Sequence, residues 1–279
     1  MFGFLNINKP KNMTSHDVIY QVRKILNIKK VGHAGTLDPL AQGVLPVGVG
    51  YCTRLLEFLP DEKEYEAELK FGYISDTYDS EGNIEKYSDC KIQMNDIKNA
   101  LIHFVGDISQ KPPIYSAVKV NGRKLYDYAR KGIDTIIPER IIHVDKIDLL
   151  NFNSDENTAK IRIKCSKGTY IRSIIHDLGK KLNTGAYMTE LVRTLSSGMK
   201  IDESINLDDV SQVSLISPEN ILKFPVVELT KENFKRVKNG NLINVNKTNG
   251  FVFLRYDNNI VSLANIINGT AYSKKVFVP

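Results

Sequence analysis

The spacing of apolar and polar positions divides the chain into a long mixed region and a shorter strand-rich tail. Val18, Val22, Ile25 and Leu26 fall on one face of a helix predicted over residues 14–27, and Thr14 with Asp17 three places on forms a capping box with Asp in place of Glu. The next stretch, VGHAGTLDPLAQGVLPVGVG at 31–50, holds five glycines and two prolines. That composition excludes a long regular helix and leaves room for one turn from Leu40 and a strand at Val44–Val49. A short helix is expected over 51–59, and the alternation in YEAELKFGYI predicts a strand over 64–73 with Glu and Lys along one face.

Helix signals return at 95–104. KPPIYSAVKVNGRK reads as a loop with a short strand at Ser116–Val120, and Asn121-Gly122 is a strong turn signal before a short helix at 123–130. Strands are expected at 140–150 and 158–165, joined by the polar NFNSDEN. Gly168 breaks the pattern before a helix over 170–182 with the stripe Ile171, Ile174, Ile175, Leu178, Leu182. Residues 186–195 read as a further strand and 206–216 as short helical turns. From about 221 the chain becomes short apolar runs, FPVVEL, LINV, FVFLRY, NIVSLANI and KVFV, separated by Asn and Gly. The reading is an α/β (α+β) chain in two domains, residues 1–219 and a small β domain at 220–279, with the boundary near 217–222.

Composition narrows the class. Of 279 residues, 42% are hydrophobic and 25% charged, as in a folded soluble protein. No run of 18 apolar residues occurs, so no spanning helix is expected, and the first twenty residues lack the pattern of a secretory signal. Cys52, Cys90 and Cys165 are scattered and odd in number, which supports neither a disulfide framework nor a cysteine zinc site and points to a reducing cytoplasm. The five histidines show no HExxH spacing, and GxGxxG, GxxxxGK[ST] and GxSxG are absent. No metal and no cofactor are expected.

The net charge of +6 sits entirely in the tail. Residues 221–279 hold nine basic and three acidic side chains, and the first 220 residues balance at 29 against 29. A neutral body with a basic module suits a polyanionic partner, though a merely soluble basic domain would look the same. Within KIRIKCSKGTYIR at 160–172, Lys160, Arg162, Lys164, Lys167 and Arg172 lie on or follow one strand face, which fits either a phosphate-tracking surface or an ordinary solvated one.

The most unusual segment is GHAGTLDPLAQG. Asp38 precedes a proline and is biased away from helical geometry. It reads either as the N-cap of a helix starting at Pro39 or as a fixed carboxylate among small residues that let a large ligand approach. In the second case it needs a cation to hold it ionised, and Arg172 is the candidate.

GHAGTLDPLAQGVLP at 32–46 resembles the catalytic motif of the TruB family, the bacterial tRNA pseudouridine-55 synthases. NKPKNMTSHDV at 8–18, KEYEAELKFGYISDTYDSEG at 63–82, QKPPIYSAVKVNGRKLYDYAR at 110–130 and CSKGTYIRSIIHDLG at 165–179 resemble further blocks of that family in the same order. The resemblance implies a pseudouridine synthase catalytic fold with a mixed, largely antiparallel sheet, followed by a small β domain resembling PUA. It implies isomerisation of the T-loop uridine by base flipping, glycosidic cleavage and reattachment through C5, with the tRNA T stem-loop as partner, and no membrane, metal or obligate protein partner.

Roles carry over by motif. Asp38 matches the essential catalytic aspartate, Tyr65 the tyrosine that stacks on the base and is placed for proton transfer, and Arg172 the arginine that pairs with the aspartate. Tyr170 lines the same pocket, His33 resembles the histidine holding the flipped-out region, Asp76 matches an acidic position near the site and Leu191 packs near the base. Lys9 and Pro10 read as support for the pocket, and His176 carries no catalytic role. Lys164, Lys167 and the basic tail are the expected backbone contacts, and 120–140 the expected arm closing on RNA. Whether Asp38 attacks C1′, attacks the base or removes the 2′ proton stays open, with a glycal-type route favoured. The rival readings are an RNA-binding module without catalysis, a related synthase acting on another RNA and a soluble enzyme acting on small substrates.

Overall fold

The computed structural model describes residues 2–89 and 91–277, so Cys90 lies outside the described residues. In chain order the elements begin with β1 (Gly3–Lys9), α1 (Ser15–Leu26), β2 (Val31–His33), β3 (Gln42–Val49), β4 (Lys63–Phe71), β5 (Tyr73–Ser75), β6 (Ile84–Lys86) and α2 (Met94–Leu101). They continue with β7 (Gly106–Gln110), β8 (Lys119–Val120), β9 (Arg123–Lys124), α3 (Leu125–Arg130), β10 (Arg140–Asn153), β11 (Thr158–Cys165), α4 (Ile171–Lys181), β12 (Ala186–Ser196) and β13 (Met199–Lys200). The tail adds α5 (Pro218–Leu222), β14 (Val226–Glu228), α6 (Lys231–Lys238), β15 (Ile243–Asn244), β16 (Gly250–Tyr256), β17 (Asn259–Ile267) and β18 (Thr270–Val276).

The main sheet runs β1-β3-β12-β4-β11-β10-β7, with β2 added to β3 and β13 to β12. Its pairings are antiparallel except β3 with β12. This is the mixed, largely antiparallel sheet that the family resemblance implies. The expected elements form with small shifts. Thr14 and Asp17 close the capping box of α1 as read from the sequence. Residues 50–58, expected as a short helix over 51–59, wind into 3₁₀ turns, and the short helical turns read at 206–216 form as 3₁₀ turns at Leu207–Asp209 and Gln212–Ser214.

Three apolar layers hold the body together. α2 and α4 cover one sheet face, where Phe71, Ile97, Ile161, Ile174 and Leu178 meet. α1 packs Val18 and Val22 against Leu5, Leu45 and Val47 of β1 and β3. A third cluster joins Phe4, Val44, Cys52 and Leu55 to Phe253, Leu263 and Phe277 of the tail. The tail sheet, β14-β16-β17-β18-β15, is therefore anchored to the body through a shared core.

Two tail elements escaped the sequence pattern, the five-residue α5 at the expected boundary and α6. KENFKRVK forms α6, with Thr230 accepting a hydrogen bond from Asn233 N at its start. Its polar face dominates, and Phe234 stacks on Tyr256 at 4.3 Å while Val237 is buried. A helix of two turns with only two apolar positions has too few repeats for its period to be read.

The basic face of β11 is also resolved. Register places Lys160, Arg162 and Lys164 opposite Glu68, Glu66 and Glu64 of β4. Arg162 Nη2 lies 2.6 Å from Glu66 Oε1, and Lys160 Nζ 3.2 Å from Glu66 Oε2. This face is a cross-strand ion-pair ladder, not a free cationic track.

Candidate active site

A single transverse row places the first components. Gly43 of β3 pairs with Arg193 of β12, Arg193 with Tyr65 of β4, and Tyr65 with Ile163 of β11. Gly43 has φ +105°, and a Cβ there would lie 2.3 Å from Arg193 O, so only glycine lets β3 approach β12 at this point. The segment leading into β3 is thereby pinned above Tyr65.

That segment is held at several points. Arg193 is fully buried and donates from Nη2 to Gly35 O at 2.9 Å and from Nε to Val44 O at 2.7 Å. Leu37 N donates to Ser15 Oγ at 3.0 Å, and Asn12 N to Pro39 O at 2.9 Å. The buried Lys9 donates from Nζ to Met13 O at 2.6 Å, Pro10 O at 2.8 Å and Pro39 O at 3.4 Å. Lys9 thus supports the loop from beneath.

Residues 38–41 make one turn, closed by Ala41 N donating to Asp38 O at 3.1 Å, and no helix follows. The N-cap reading of Asp38 therefore falls. Its carboxylate instead faces Arg172, whose Nη2 lies 3.2 Å from Asp38 Oδ2. Arg172 stands in the first turn of α4, whose start is gripped by Gln110: Tyr170 N donates to Oε1 at 2.8 Å and Nε2 donates to Tyr170 O at 3.0 Å.

Arg172 has a second carboxylate behind it. Its Nη1 donates to Asp79 Oδ2 at 3.1 Å and its Nη2 to Tyr115 O at 2.8 Å. Asp79 also accepts from Thr77 Oγ1 at 2.5 Å and Glu81 N at 3.1 Å. The Asp38 side chain is 35% exposed, whereas those of Arg172 and Asp79 are 6% and 1% exposed. One carboxylate faces an opening and the other is locked inside.

A cavity of about 520 Å³ opens over this group, lined among others by Asp38, Tyr65, Tyr170, Arg172, Met188 and Leu191. That is within the range of small-ligand sites, about 300–1,000 Å³. Burial pushes the Asp38 carboxyl above the usual carboxylate range, and the Asp79 charge adds to this, while Arg172 and Lys9 pull it down. Burial likewise raises the Tyr65 phenol, with Arg193 opposing, so Tyr65 is neutral near neutral pH. The arrangement offers an oriented carboxylate, pushed up in pKa, in an open cavity that a neutral tyrosine also lines.

The cavity brings together Asp38, Tyr65, Tyr170, Arg172 and Leu191 of the residues expected from sequence. It does not include Asp76, whose Oδ1 accepts from Asn83 N at 2.8 Å and closes a turn. Asp79, three places on, fills the position beside Arg172. His33 lines a second cavity of about 310 Å³ and packs edge-on to His16 at 5.4 Å. Burial lowers its imidazole to about 4, so it is neutral. Lys164 lies 3.8 Å from Glu62 and Lys167 2.8 Å from Asp61, both on the surface. Sequence reading also missed Arg193, Lys63 and Gln110. In the 120–140 segment, Asn121 and Gly122 take positive φ in the β8–β9 turn, and Tyr126 and Arg140 reach the cavity wall.

The comparisons agree with one another. A family model described as TruB family pseudouridylate synthase (N terminal domain) matches residues 23–171, and one described as tRNA pseudouridylate synthase B C-terminal domain matches 172–223. A tRNA pseudouridine synthase B of Carboxydothermus hydrogenoformans is 44% identical, over 99% of each chain. One from Clostridium acetobutylicum is 47% identical over 85% of this chain and 80% of its own. Among solved structures, a Cbf5-Nop10-Gar1 complex is 27% identical with a TM-score of 0.71, covering 100% of this chain and 85% of its own. An H/ACA RNP bound to a substrate RNA containing 2'-deoxyuridine is 25% identical with a TM-score of 0.71, covering 100% and 86%.

Proposed function

We propose, for a chain that belongs to the TruB family of tRNA pseudouridine synthases, that the uridine it isomerises is position 55 in the T loop. The observation carrying this reading is the Asp38–Arg172 pair at the floor of a cavity that Tyr65 and Leu191 also line. The target base lies inside folded RNA, so it must leave its stack at a cost of a few kcal/mol. The Tyr65 ring replaces part of that stacking, worth about 1–3 kcal/mol per base. Leu191 and Tyr170 close on the base from the other walls.

The reaction breaks N1–C1′ and forms C5–C1′ on the same uracil. Arg172 holds Asp38 ionised and fixes its direction. Of the three roles open to Asp38, the reading favours removal of the 2′ proton, for which the carboxylate must be ionised and held in a fixed direction, as its pairing with Arg172 provides. Uracil then leaves as the N1–C1′ bond breaks, turns, and rejoins through C5 as the proton returns to C2′. The C5 proton departs last and N1 takes up a proton, so the product is an isomer of the substrate, and the neutral Tyr65 hydroxyl acts as a relay in that transfer.

Residues 1–219 form the catalytic unit in this reading. The basic sheet at 220–279 is a PUA-like unit that contacts the RNA backbone, and the 120–140 segment borders the bound loop. Lys164 and Lys167 contribute less than their charge suggests, because each already neighbours a carboxylate. Among the described residues no helix is long and apolar enough to cross a membrane. The proposed compartment is the cytoplasm.

The test is conversion of tRNA transcripts by wild type and Asp38→Asn, with mapping of the modified position. The expected result is pseudouridine at position 55 with wild type, and RNA binding without product in the variant. Substantial conversion by Asp38→Asn would remove Asp38 from the chemistry, and product elsewhere would remove the site assignment.

A further inference from the structure

We infer that Lys63 is the anion site for one phosphodiester flanking the flipped nucleotide, and that the RNA backbone leaves the Asp38 cavity across it. The inference rests on the proposed function above.

Lys63 and Gly35 form a wall common to both cavities, the 520 Å³ one containing Asp38 and the 310 Å³ one containing His33. The chain segment that joins two nucleotides, one in each cavity, would pass this wall. Gly35 has φ +70°, and a Cβ there would lie 3.2 Å from Lys63 Nζ and 3.3 Å from Arg193 Nη1. The glycine therefore leaves the two cations space on one side of the loop.

Neither cation has an ion-pair partner in contact, and the Asp61 carboxylate, which already holds Lys167 at 2.8 Å, acts on Lys63 only from further off. Among the described residues Lys63 Nζ has no carboxylate within 4.0 Å and no hydrogen-bond acceptor. Its basic neighbours on the same edge do have partners: Lys164 has Glu62 and Lys167 has Asp61. Arg193 spends Nε and Nη2 on carbonyls, and its buried Nη1 has no partner. Burial and the Arg193 charge together lower Lys63 to about 8. A half-buried ammonium beside a buried guanidinium is an electrostatic debt that a bound monoanion cancels. Unlike the paired lysines of the rim, Lys63 gives up no existing ion pair to bind it.

The experiment uses a T stem-loop RNA oligonucleotide with an unmodified backbone, or with one neutral methylphosphonate linkage on the 5′ or the 3′ side of the target uridine. Conversion of the unmodified oligonucleotide by wild type establishes the proposed function independently. Lys63→Gln is expected to raise KM about tenfold with kcat little changed, and Lys63→Arg to restore most of it. One of the two neutral linkages should weaken wild type about tenfold and leave Lys63→Gln no weaker than before. The salt slope of binding should fall by about 0.7 in Lys63→Gln, as for one phosphate on a single strand. The inference is overturned if neither linkage weakens wild type, a result that needs no variant. It is equally overturned if both losses multiply in Lys63→Gln, or if that variant binds the unmodified oligonucleotide as wild type does.

Discussion

Arg172 is clamped from behind by Asp79: Nη1 and Oδ2 lie 3.1 Å apart, both side chains nearly sealed from solvent. The pairing fixes the guanidinium before any substrate enters, leaving Nη2 to face Asp38 at 3.2 Å. Asp79→Asn removes one carboxylate from a buried pair, which costs about 3–5 kcal/mol when a partner is lost outright and less when an amide still accepts. The expected outcome is a lower melting temperature and a kcat reduced about 10–100-fold.

The same variant has a signed pH effect. Asp79 raises the Asp38 carboxyl, so removing its charge lowers it. In the proposed reaction Asp38 works ionised, so activity is expected to fall as pH drops through its pKa. The acid limb of kcat/KM should therefore lie above the usual carboxylate range in wild type and move to lower pH in Asp79→Asn. A limb that stays put, measured across pH 4–7, would break the link between the two carboxylates.

Tyr65→Phe keeps the ring and loses the hydroxyl. RNA binding should change little, because stacking needs only the aromatic face. kcat should drop about 10²–10⁴-fold if the hydroxyl relays the C5 proton. A substrate with 5-deuterouridine at the target should then show a larger isotope effect with the variant than with wild type. Equal isotope effects would take Tyr65 out of the proton transfer.

Gly43→Ala tests the row across the sheet. The added methyl would lie 2.3 Å from Arg193 O, at φ +105°. Destabilisation of about 2–4 kcal/mol is expected, from backbone strain and overpacking together. Thermal melting reads the first effect. Loss of activity beyond that explained by unfolding reads displacement of the Asp38 loop.

Much of this was visible in the residues themselves. Periodicity found α1, α4 and the long strands because each repeats its period several times. The glycine-rich loop marked Asp38, and the charge argument named Arg172 only as a candidate partner; the family resemblance implied the pair, and the two side chains lie 3.2 Å apart across 134 positions of sequence. Asp76 and Asp79 could not be told apart that way. They sit in a turn in which Tyr78 adopts φ +67°, and a turn has no repeating face. The β11 ladder depended on register with β4, which no single strand contains. Arg193 was hidden for a related reason: beside Glu190 in an otherwise uncharged strand, it becomes meaningful only once β3 and β4 lie on either side of it.

The apolar junction of Phe4, Phe253 and Phe277 has a consequence for substrate choice. The tail sheet cannot pivot without exposing that junction to water. An RNA touching both the tail and the cavity is held against a gauge of set length, and one whose folded elbow is shorter or longer presents its loop out of step with the pocket.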